Sequence, residues 1–382
     1  MTDFVICATR SMKGYAEEVS QKLAKFPRFA GKIDQFGWAD LLKVKRFADY
    51  EIEVEVKSSV RGKHVILFAS CAQNDARKAA VSSAEAKIEL YHSVDALKRG
   101  QPEKITVFEP FISCSRSDRA TRRNSVGLWT HLKTLAGMGA NHVITYQLHS
   151  DKSKFMLDPT ICAMDNIPAM TLLQQRLCDA YIQDLRKLET EVRENWAFCS
   201  VDAGGEKEAR LFANSFGAPL VVAHKQRDLS KENTVDSIYI LSAEPLEGKT
   251  LWIVDDIVDT AGSVETLARA LAPLRPKEIN ILAVHAPFSP PAAERLARLS
   301  REGILNRIMV TDTVCTDALR EKMPGIEIAS STWLSARVIN SIITHSPMGD
   351  LLLEFKAPAY LNSPALWHYA PDEARQAGSR ED

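Results

Sequence analysis

Ten short apolar runs constrain the fold of this chain most, because patterns typical of helices lie between many of them. The runs include DFVICAT, KHVILFAS, TLWIVDD and INILAVHA, and the intervening stretches include MKGYAEEVSQKLAKF and SVETLARALAPL. Each run has the length and the β-branched content of a buried strand. Alternating strands and helices predict an α/β fold with mostly parallel sheets flanked by helices. Ligands of such sheets bind beyond the carboxyl ends of the strands, so we expect the site residues there.

Two halves with similar β/α alternation indicate two domains, each with a central, mostly parallel sheet. We expect residues 1–165 to form an N-terminal domain and residues 166–330 a C-terminal domain, with the ligand site between them. Residues 331–382 should comprise a helix that returns to the first domain and a peripheral extension. The extension is expected because periodicity is lost after the helix.

Charge and cysteine content exclude several classes of protein. The 382 residues include 48 Lys and Arg against 49 Asp and Glu, which gives a net charge of −1. That balance excludes a nucleic-acid-binding protein whose affinity comes from bulk positive charge, so we expect no nucleic-acid partner. No run approaches the roughly 18 apolar residues that span a bilayer, and the N-terminus lacks a signal-peptide pattern, so we expect no membrane partner. Seven scattered cysteines without a C-x-x-C pair are typical of a reduced, cytoplasmic protein.

The segment TLWIVDDIVDTAGSVETLARAL carries the strongest functional signal. Its apolar run ends in Asp255 and Asp256, and the loop Asp259-Thr260-Ala261-Gly262-Ser263 leads into a helical pattern. Backbone N–H groups at a helix N-terminus are unpaired and suit a phosphate, and small residues let it approach closely. Thr260 and Ser263 add hydroxyl donors, while the two carboxylates can accept hydrogen bonds from a diol or help to hold a metal. The segment therefore predicts a site for a phosphorylated ribose.

This segment resembles the ribose 5-phosphate loop of type I phosphoribosyltransferases. Further segments resemble one family, the ribose-phosphate pyrophosphokinases or phosphoribosyl pyrophosphate synthetases: SVDAGGEKEA, VVAHKQRD, VHAPFSPPAAERL and, more loosely, KRFADYEIEVEVKSSVRGKHVILFAS, SRSDRATRR and GANHVITYQLHS. The resemblance covers about residues 3 to 345. It implies two phosphoribosyltransferase-like domains that transfer the pyrophosphoryl group of ATP to the anomeric hydroxyl of ribose 5-phosphate. The products would be phosphoribosyl pyrophosphate (PRPP) and AMP.

The same resemblance assigns the transfer step and the metal. It implies that Lys225 and Arg227 are the catalytic residues. In an extended strand the two side chains would share a face and could bracket developing phosphate charge. The resemblance also implies that Asp202 and His149 are ligands of Mg²⁺, the cofactor expected here. Magnesium binds through few carboxylates together with substrate phosphates, so a single aspartate suffices.

The resemblance places the nucleotide in the first half of the chain. Phe47 offers an apolar or stacking face, and the carboxylates of Asp49 and Glu51 can accept from the adenine amino group. Arg116 and Asp118 would add contacts to the phosphates and the purine edge. We expect this ATP site to lie apart from the ribose-phosphate loop. Members of the family form dimers and hexamers, which implies a homo-oligomer.

Several positions depart from the family pattern. Gln147 stands where the family has an aspartate, Ser117 replaces a glutamine and Glu208 replaces an arginine. Three hypotheses follow: an active pyrophosphokinase, which acts on ribose 5-phosphate or a larger 5-phosphoribosyl acceptor such as ADP-ribose; a non-catalytic subunit that assembles with an active synthetase; or a phosphoribosyltransferase. Retention of Lys225 and Arg227 favours the first hypothesis, and the change at Gln147 favours the second.

Overall fold

Two largely parallel β-sheets and a separate β-hairpin contain the described strands of the protein. The computed structural model describes residues 3–31, 37–72, 82–227, 235–314, 323, 325–364 and 369, without the side chains of residues 225–227 and 235–237. The prediction of an α/β fold with mostly parallel sheets flanked by helices is confirmed. The boundaries drawn at residues 165 and 330 stay a prediction.

The first sheet consists of five parallel strands. In spatial order they are β1 (Phe4–Ala8), β4 (His64–Phe68), β5 (Lys104–Glu109), β6 (His142–Tyr146) and β7 (Ala163–Ile167). Every residue of β1, β4 and β6 is buried, as expected for parallel strands that helices cover on both faces. Outside this sheet, β2 (Leu42–Arg46) and β3 (Ile52–Val56) pair as an antiparallel hairpin.

The second sheet has seven strands and is antiparallel at one edge only. In spatial order they are β10 (Val235–Ser242), β9 (Leu220–Arg227), β8 (Trp196–Ser200), β11 (Thr250–Ile257), β12 (Glu278–His285), β13 (Arg307–Thr311) and β14 (Ile326–Ala329). β10 pairs antiparallel with β9, and every other pairing is parallel. The central position of β11 places its acidic carboxyl end in the middle of one sheet edge, where ligands bind in such folds.

Helices connect the strands in both halves. They are α1 (Lys13–Leu23), α2 (Ser83–Arg99), α3 (Gly127–Met138), α4 (Met170–Leu177), α5 (Glu206–Phe216), α6 (Gly262–Leu271), α7 (Ala292–Arg301), α8 (Thr332–Thr344) and α9 (Ala357–Asn362). After α4 the chain continues through short helical turns: Cys178–Ile182, Leu185–Lys187, Leu188–Val192 and Arg193–Asn195. Further short turns are Arg10–Met12, Asp151–Met156, Ala272–Leu274 and Gly349–Leu352. None of the helices in the described ranges is long and apolar enough to cross a bilayer.

Helix α8 returns to the first half of the chain, as the sequence predicts. It packs on α1, and the Tyr15 hydroxyl hydrogen bonds to Ser331 and Ser335, at 2.7 Å in each case. The Tyr146 hydroxyl at the end of β6 lies 2.6 Å from the same Ser335 oxygen. One apolar cluster includes residues of both sheets and of α8, so the two halves share a core.

The region after α8 is more integrated than its loss of periodicity predicts. Phe355 and Tyr360 are each 1% exposed, and both belong to the core cluster that joins the two sheets. The Tyr360 hydroxyl donates to Asp179 at 2.8 Å. The expectation of a peripheral extension is therefore wrong for residues 349–362, because two large aromatic rings hold this stretch against the fold. Residues 365–368 and 370–382 lie outside the described ranges.

Candidate functional site

A cavity of about 530 Å³ lies at the carboxyl ends of the second-sheet strands. Asp255, Asp256 and Ser263 line it from β11 and α6, and Asp202 lines it from the turn after β8. Segments of the first half complete its wall with Arg116, Arg119 and His149. Side chains from both halves thus meet where the strand pattern predicts a ligand site.

The acidic pair at the end of β11, Asp255 and Asp256, has pKa values that are shifted in opposite directions. Burial is the largest influence on the pKa of Asp256 and would raise it. The hydrogen bond that His149 Nδ1 donates to Asp256 Oδ2 at 2.7 Å, the charge of His149 and a hydrogen bond with Asp255 together lower this pKa. The pKa of Asp255 is raised well above its ordinary value by burial, and then by the charges of Asp256 and Asp202. The two shifts have opposite directions, so Asp256 keeps its negative charge to lower pH than Asp255 does.

Asp202 closes the turn that precedes α5. Its Oδ1 accepts the backbone N–H groups of Gly204 and Gly205, at 2.9 and 3.2 Å. A Cβ atom at Gly204 would lie 3.2 Å from that oxygen, which is tighter than ordinary contact. The Asp-Ala-Gly-Gly sequence therefore forms a turn at the cavity wall that hydrogen bonds to the Asp202 side chain stabilise.

The loop between β11 and α6 leaves backbone donors at the cavity. α6 begins at Gly262 without a side-chain cap, and the residue before it, Ala261, has a left-handed φ of 58°. The first-turn amides of an α-helix have no partner within the helix, and Ser263 in this turn lines the cavity. Arg295 of α7 donates to the Thr260 carbonyl oxygen at 2.9 Å and fixes the loop from behind.

Gly262 has a different neighbour from the one that the sequence suggests. The pattern indicates that glycine lets a phosphate approach, whereas an added Cβ would first meet Arg295 Nη1, at 3.0 Å. The absence of a side chain at this position therefore makes room for the guanidinium that holds Thr260.

Arg116 joins the first half of the chain to the loop between β11 and α6. Its guanidinium forms an ion pair with Asp259. Burial would raise the pKa of Asp259, but hydrogen bonds with Ser289 and Arg116 lower it. The expected separation of the nucleotide site from the loop therefore does not hold at Arg116, which touches the loop directly.

The other residues expected to bind ATP divide into two groups. Phe47, Asp49 and Glu51 lie at the tip of the β2–β3 hairpin, where Phe47 is 40% exposed, and they do not line this cavity. Asp118 lies near His149, because its charge contributes to the raised pKa of that histidine after the hydrogen bond to Asp256. The single chain thus brings Arg116 to the cavity and Asp118 near His149, which lines it, but does not bring the hairpin residues there.

Lys225 and Arg227 belong to β9 by their backbone, and Arg227 pairs with Val235 across the sheet edge. Both side chains lie outside the described part of the structure, so their catalytic assignment stays a prediction. Their neighbour His224 lines the cavity. The HKQR segment therefore reaches the site at its first residue.

Comparisons with known proteins decide the family. Residues 4–139 match the N-terminal domain of ribose phosphate pyrophosphokinase, and residues 173–297 match the phosphoribosyl transferase domain. A ribose-phosphate pyrophosphokinase of Burkholderia pseudomallei is 32% identical over 304 residues, which cover 78% of this chain and 85% of that protein. The chain belongs to the ribose-phosphate pyrophosphokinase family.

Two further relatives cover more of this family member. The ribose-phosphate pyrophosphokinase of Campylobacter jejuni is 29% identical over 344 residues, which cover 90% of this chain and all of that protein. The crystal structure of phosphoribosylpyrophosphate synthetase from Mycobacterium smegmatis, 24% identical, matches 90% of this chain and 100% of that chain with a TM-score of 0.73. The latter likeness shows that the fold is shared along nearly the whole chain.

The positions that depart from the pyrophosphokinase pattern have distinct surroundings. The Gln147 side chain accepts the Ala169 amide N–H at 3.3 Å, and Gln147 does not line the cavity. Glu208 does line it, and its pKa is raised by burial and then by the charge of Asp256. A glutamate at position 208, where the family has an arginine, therefore changes the charge of the cavity. The change at Gln147 lies outside the cavity, where the side chain hydrogen bonds to the backbone.

A buried histidine that no sequence pattern predicts links the two sheets of this pyrophosphokinase-family chain. His285 at the end of β12 is buried, and its Nε2 lies 3.2 and 3.1 Å from the carbonyl oxygens of Tyr146 and Gln147. Its Nδ1 lies 2.8 Å from the Thr313 hydroxyl, and burial lowers its pKa to about 4. A neutral ring thus donates to the first half and accepts from the second. His285 lies in the segment VHAPF, but nothing in that segment indicates a partner so distant in sequence.

Proposed function

We propose that this chain transfers the pyrophosphoryl group of ATP to the anomeric hydroxyl of ribose 5-phosphate, giving PRPP and AMP. One observation carries the proposal: a single cavity combines the acidic pair of β11 and the uncapped N-terminus of α6 with Arg116 and His149 from the other half. Such a cavity offers partners for a diol, a phosphate and a nucleotide polyphosphate together. Positioning and charge neutralisation are what phosphoryl transfer mainly asks of a protein.

The acidic pair is suited to the ribose hydroxyls. Asp255 and Asp256, the latter held by His149, both line the cavity, and their carboxyl oxygens can accept hydrogen bonds from the ribose hydroxyls. The 5-phosphate would then lie on the free amides of the first turn of α6, where the helix dipole favours an anion. Asp259 and Thr260 shape this loop through their contacts with Arg116 and Arg295.

The donor set of the cavity fits Mg²⁺. Asp202 and Asp256 are close enough to Asp255 that their charges raise its pKa, so a cation would relieve the repulsion among these carboxylates. No three His, Cys, Asp or Glu side chains within the described ranges are arranged to hold a metal alone. Asp202 and His149 would therefore hold the ion together with substrate phosphates, as magnesium sites commonly do. The ion would supply neutralisation of phosphate charge.

The remaining assignments concern ATP and the transfer itself. Arg116 and Asp118 would bind the nucleotide beside the cavity, and Lys225 and Arg227 would stabilise charge on the transferring group. Alanine at Lys225 or Arg227 should lower kcat about a hundredfold and change KM much less. Phe47, Asp49 and Glu51 lie on an exposed hairpin away from the cavity, which supports a homo-oligomer, a dimer or hexamer, in which a neighbour brings them to ATP.

An acceptor assay tests the proposal. Purified protein with ATP and Mg²⁺ should release AMP when ribose 5-phosphate is added, and a parallel sample with ADP-ribose tests the larger acceptor. If neither acceptor led to AMP release, the result would favour the non-catalytic subunit. AMP release that appeared only after an active synthetase of the family was added would establish that hypothesis. Consumption of PRPP with a nucleobase would instead indicate a phosphoribosyltransferase.

A further inference from the structure

A second cavity, of about 350 Å³, lies on the other side of Arg116. Arg116 lines both cavities, so the two adjoin at this residue. Cys71 and Cys114 line the second cavity together with Lys87 of α2. A thiol beside an ammonium group in an open cavity is an arrangement that favours nucleophilic sulfur.

The two thiols of this cavity have opposite electrostatic partners. Cys71 is 2% exposed and donates to Glu109 Oε1 at 3.6 Å; burial and then the Glu109 charge raise its pKa well above the ordinary value. Cys114 Sγ instead lies 3.1 Å from Lys87 Nζ, whose positive charge stabilises negative charge that develops on sulfur. Of the six cysteines that the structure describes, five are buried and Cys114 is partly exposed. Cys71 is therefore an internal control for Cys114.

The surroundings of Cys114 favour a small anionic ligand. Lys87 forms no ion pair within the described ranges, whereas Arg116 at the cavity wall is paired with Asp259, which also lines the cavity. The Lys87 ammonium group is therefore the positive charge that an anionic ligand would meet beside Cys114. Ser115 also lines the cavity; it is 4% exposed, and its hydroxyl has no hydrogen-bond partner among the described residues. A buried hydroxyl without a partner is costly unless a ligand completes it. These groups together offer a carboxylate an ammonium and a hydroxyl beside the thiol.

We propose that Cys114 is a covalent modification site for small anionic disulfides, which react with it by thiol–disulfide exchange. Cys114 releases its proton to solvent, and Sγ attacks one sulfur of the disulfide. The bond from Sγ to that sulfur forms as the reagent's S–S bond breaks, and the leaving thiolate takes up a proton. The adduct fills the cavity next to Arg116. If the proposed function holds, modification also lowers turnover, because Arg116 faces the catalytic cavity as well.

A matched pair of reagents tests the site on the full-length protein. Dithiodiglycolate and cystamine are disulfides of similar size and opposite charge, and peptide mass spectrometry locates and times each adduct. Cys114 should react about tenfold faster with dithiodiglycolate than with cystamine, while Cys71 stays unmodified over the same period. Lys87→Met should slow the first reaction about tenfold, and Lys87→Arg, which keeps the charge, should restore most of the rate.

Each outcome of this experiment decides the proposal. Equal rates for the two reagents on the native protein, no effect of Lys87→Met, or earlier modification of Cys71 would overturn it, and the reagent comparison needs no variant to fold. In the activity arm, AMP release should fall in step with the Cys114 adduct and recover with dithiothreitol. The mass measurement does not depend on turnover, so an inactive protein would contradict the proposed function and leave the modification site to be judged by mass alone.

Discussion

At the scale of single residues, the His149–Asp256 contact links a loop of the first half to the acidic end of β11. The raised pKa of His149 and the lowered pKa of Asp256 have a common cause in their hydrogen bond, against the opposing effect of burial. A lowered Asp pKa gives stability that is lost as pH falls through the folded value. A raised His pKa gives stability that is lost as pH rises through the folded value. The pair therefore makes its full contribution to stability between the ordinary pKa values of aspartate and histidine, about pH 3.8 and 6.5.

We predict that His149→Ala destabilises the protein mainly within that pH window. Because His149 is about half exposed, solvent screening limits the loss to about 0.5–1 kcal/mol. Urea unfolding at several pH values measures it, with His92→Ala, which lacks a carboxylate partner in the described structure, as the control. A loss that stays the same well above the His149 pKa would show that the ion pair is not its cause.

Glu208 gives a prediction of opposite sign. Burial, followed by the Asp256 charge, raises its pKa, so the folded state binds more protons than the unfolded state and this group's contribution to stability falls as pH rises. Glu208→Gln should therefore stabilise the protein at neutral pH, by less than about 1 kcal/mol, and have no such effect below the ordinary glutamate pKa. Thermal unfolding at both pH values checks this, and Glu206→Gln, which breaks a pair with Arg210, should show no gain.

At the scale of elements, the β11–α6 loop is held from behind by α7. Arg295 lies behind Gly262 and donates to the Thr260 carbonyl oxygen. A side chain at position 262 could therefore act in two ways: it could displace Arg295, or it could block the phosphate that we propose to bind there.

A double-mutant cycle separates these two effects. Gly262→Val should weaken binding of ribose 5-phosphate at least about tenfold, as measured by calorimetric titration, because backbone amides at this point are needed for the phosphate. If displacement of Arg295 is the cause, the same change should cost much less in an Arg295→Ala background. An equal loss in both backgrounds would assign it to the phosphate contact. Unchanged binding after Gly262→Val alone would contradict the placement of the phosphate on α6.

At the scale of the whole molecule, the sequence predicted the features that depend on local patterns of residues. Apolar runs predicted both sheets, and the acidic pair with its small-residue loop predicted the strand-to-helix turn that now lines the cavity. The contacts of Arg116 with Asp259 and of His285 with Tyr146 were not predicted, since each joins residues more than a hundred positions apart. Burial of Phe355 and Tyr360 was missed for a related reason: a short segment anchored by two rings has no periodicity to detect.

The proposed reaction differs from ordinary kinase chemistry in the group of ATP that is transferred, the β,γ-pyrophosphoryl unit rather than the γ-phosphoryl group. The measurement is to follow ATP labelled at its γ-phosphate with the protein, Mg²⁺ and ribose 5-phosphate, and to separate the products by chromatography. Pyrophosphoryl transfer predicts that the label enters phosphoribosyl pyrophosphate, with AMP formed in equal amount and only when the acceptor is present. Formation of ADP, release of labelled inorganic phosphate without the acceptor, or no turnover at all would contradict the proposed reaction.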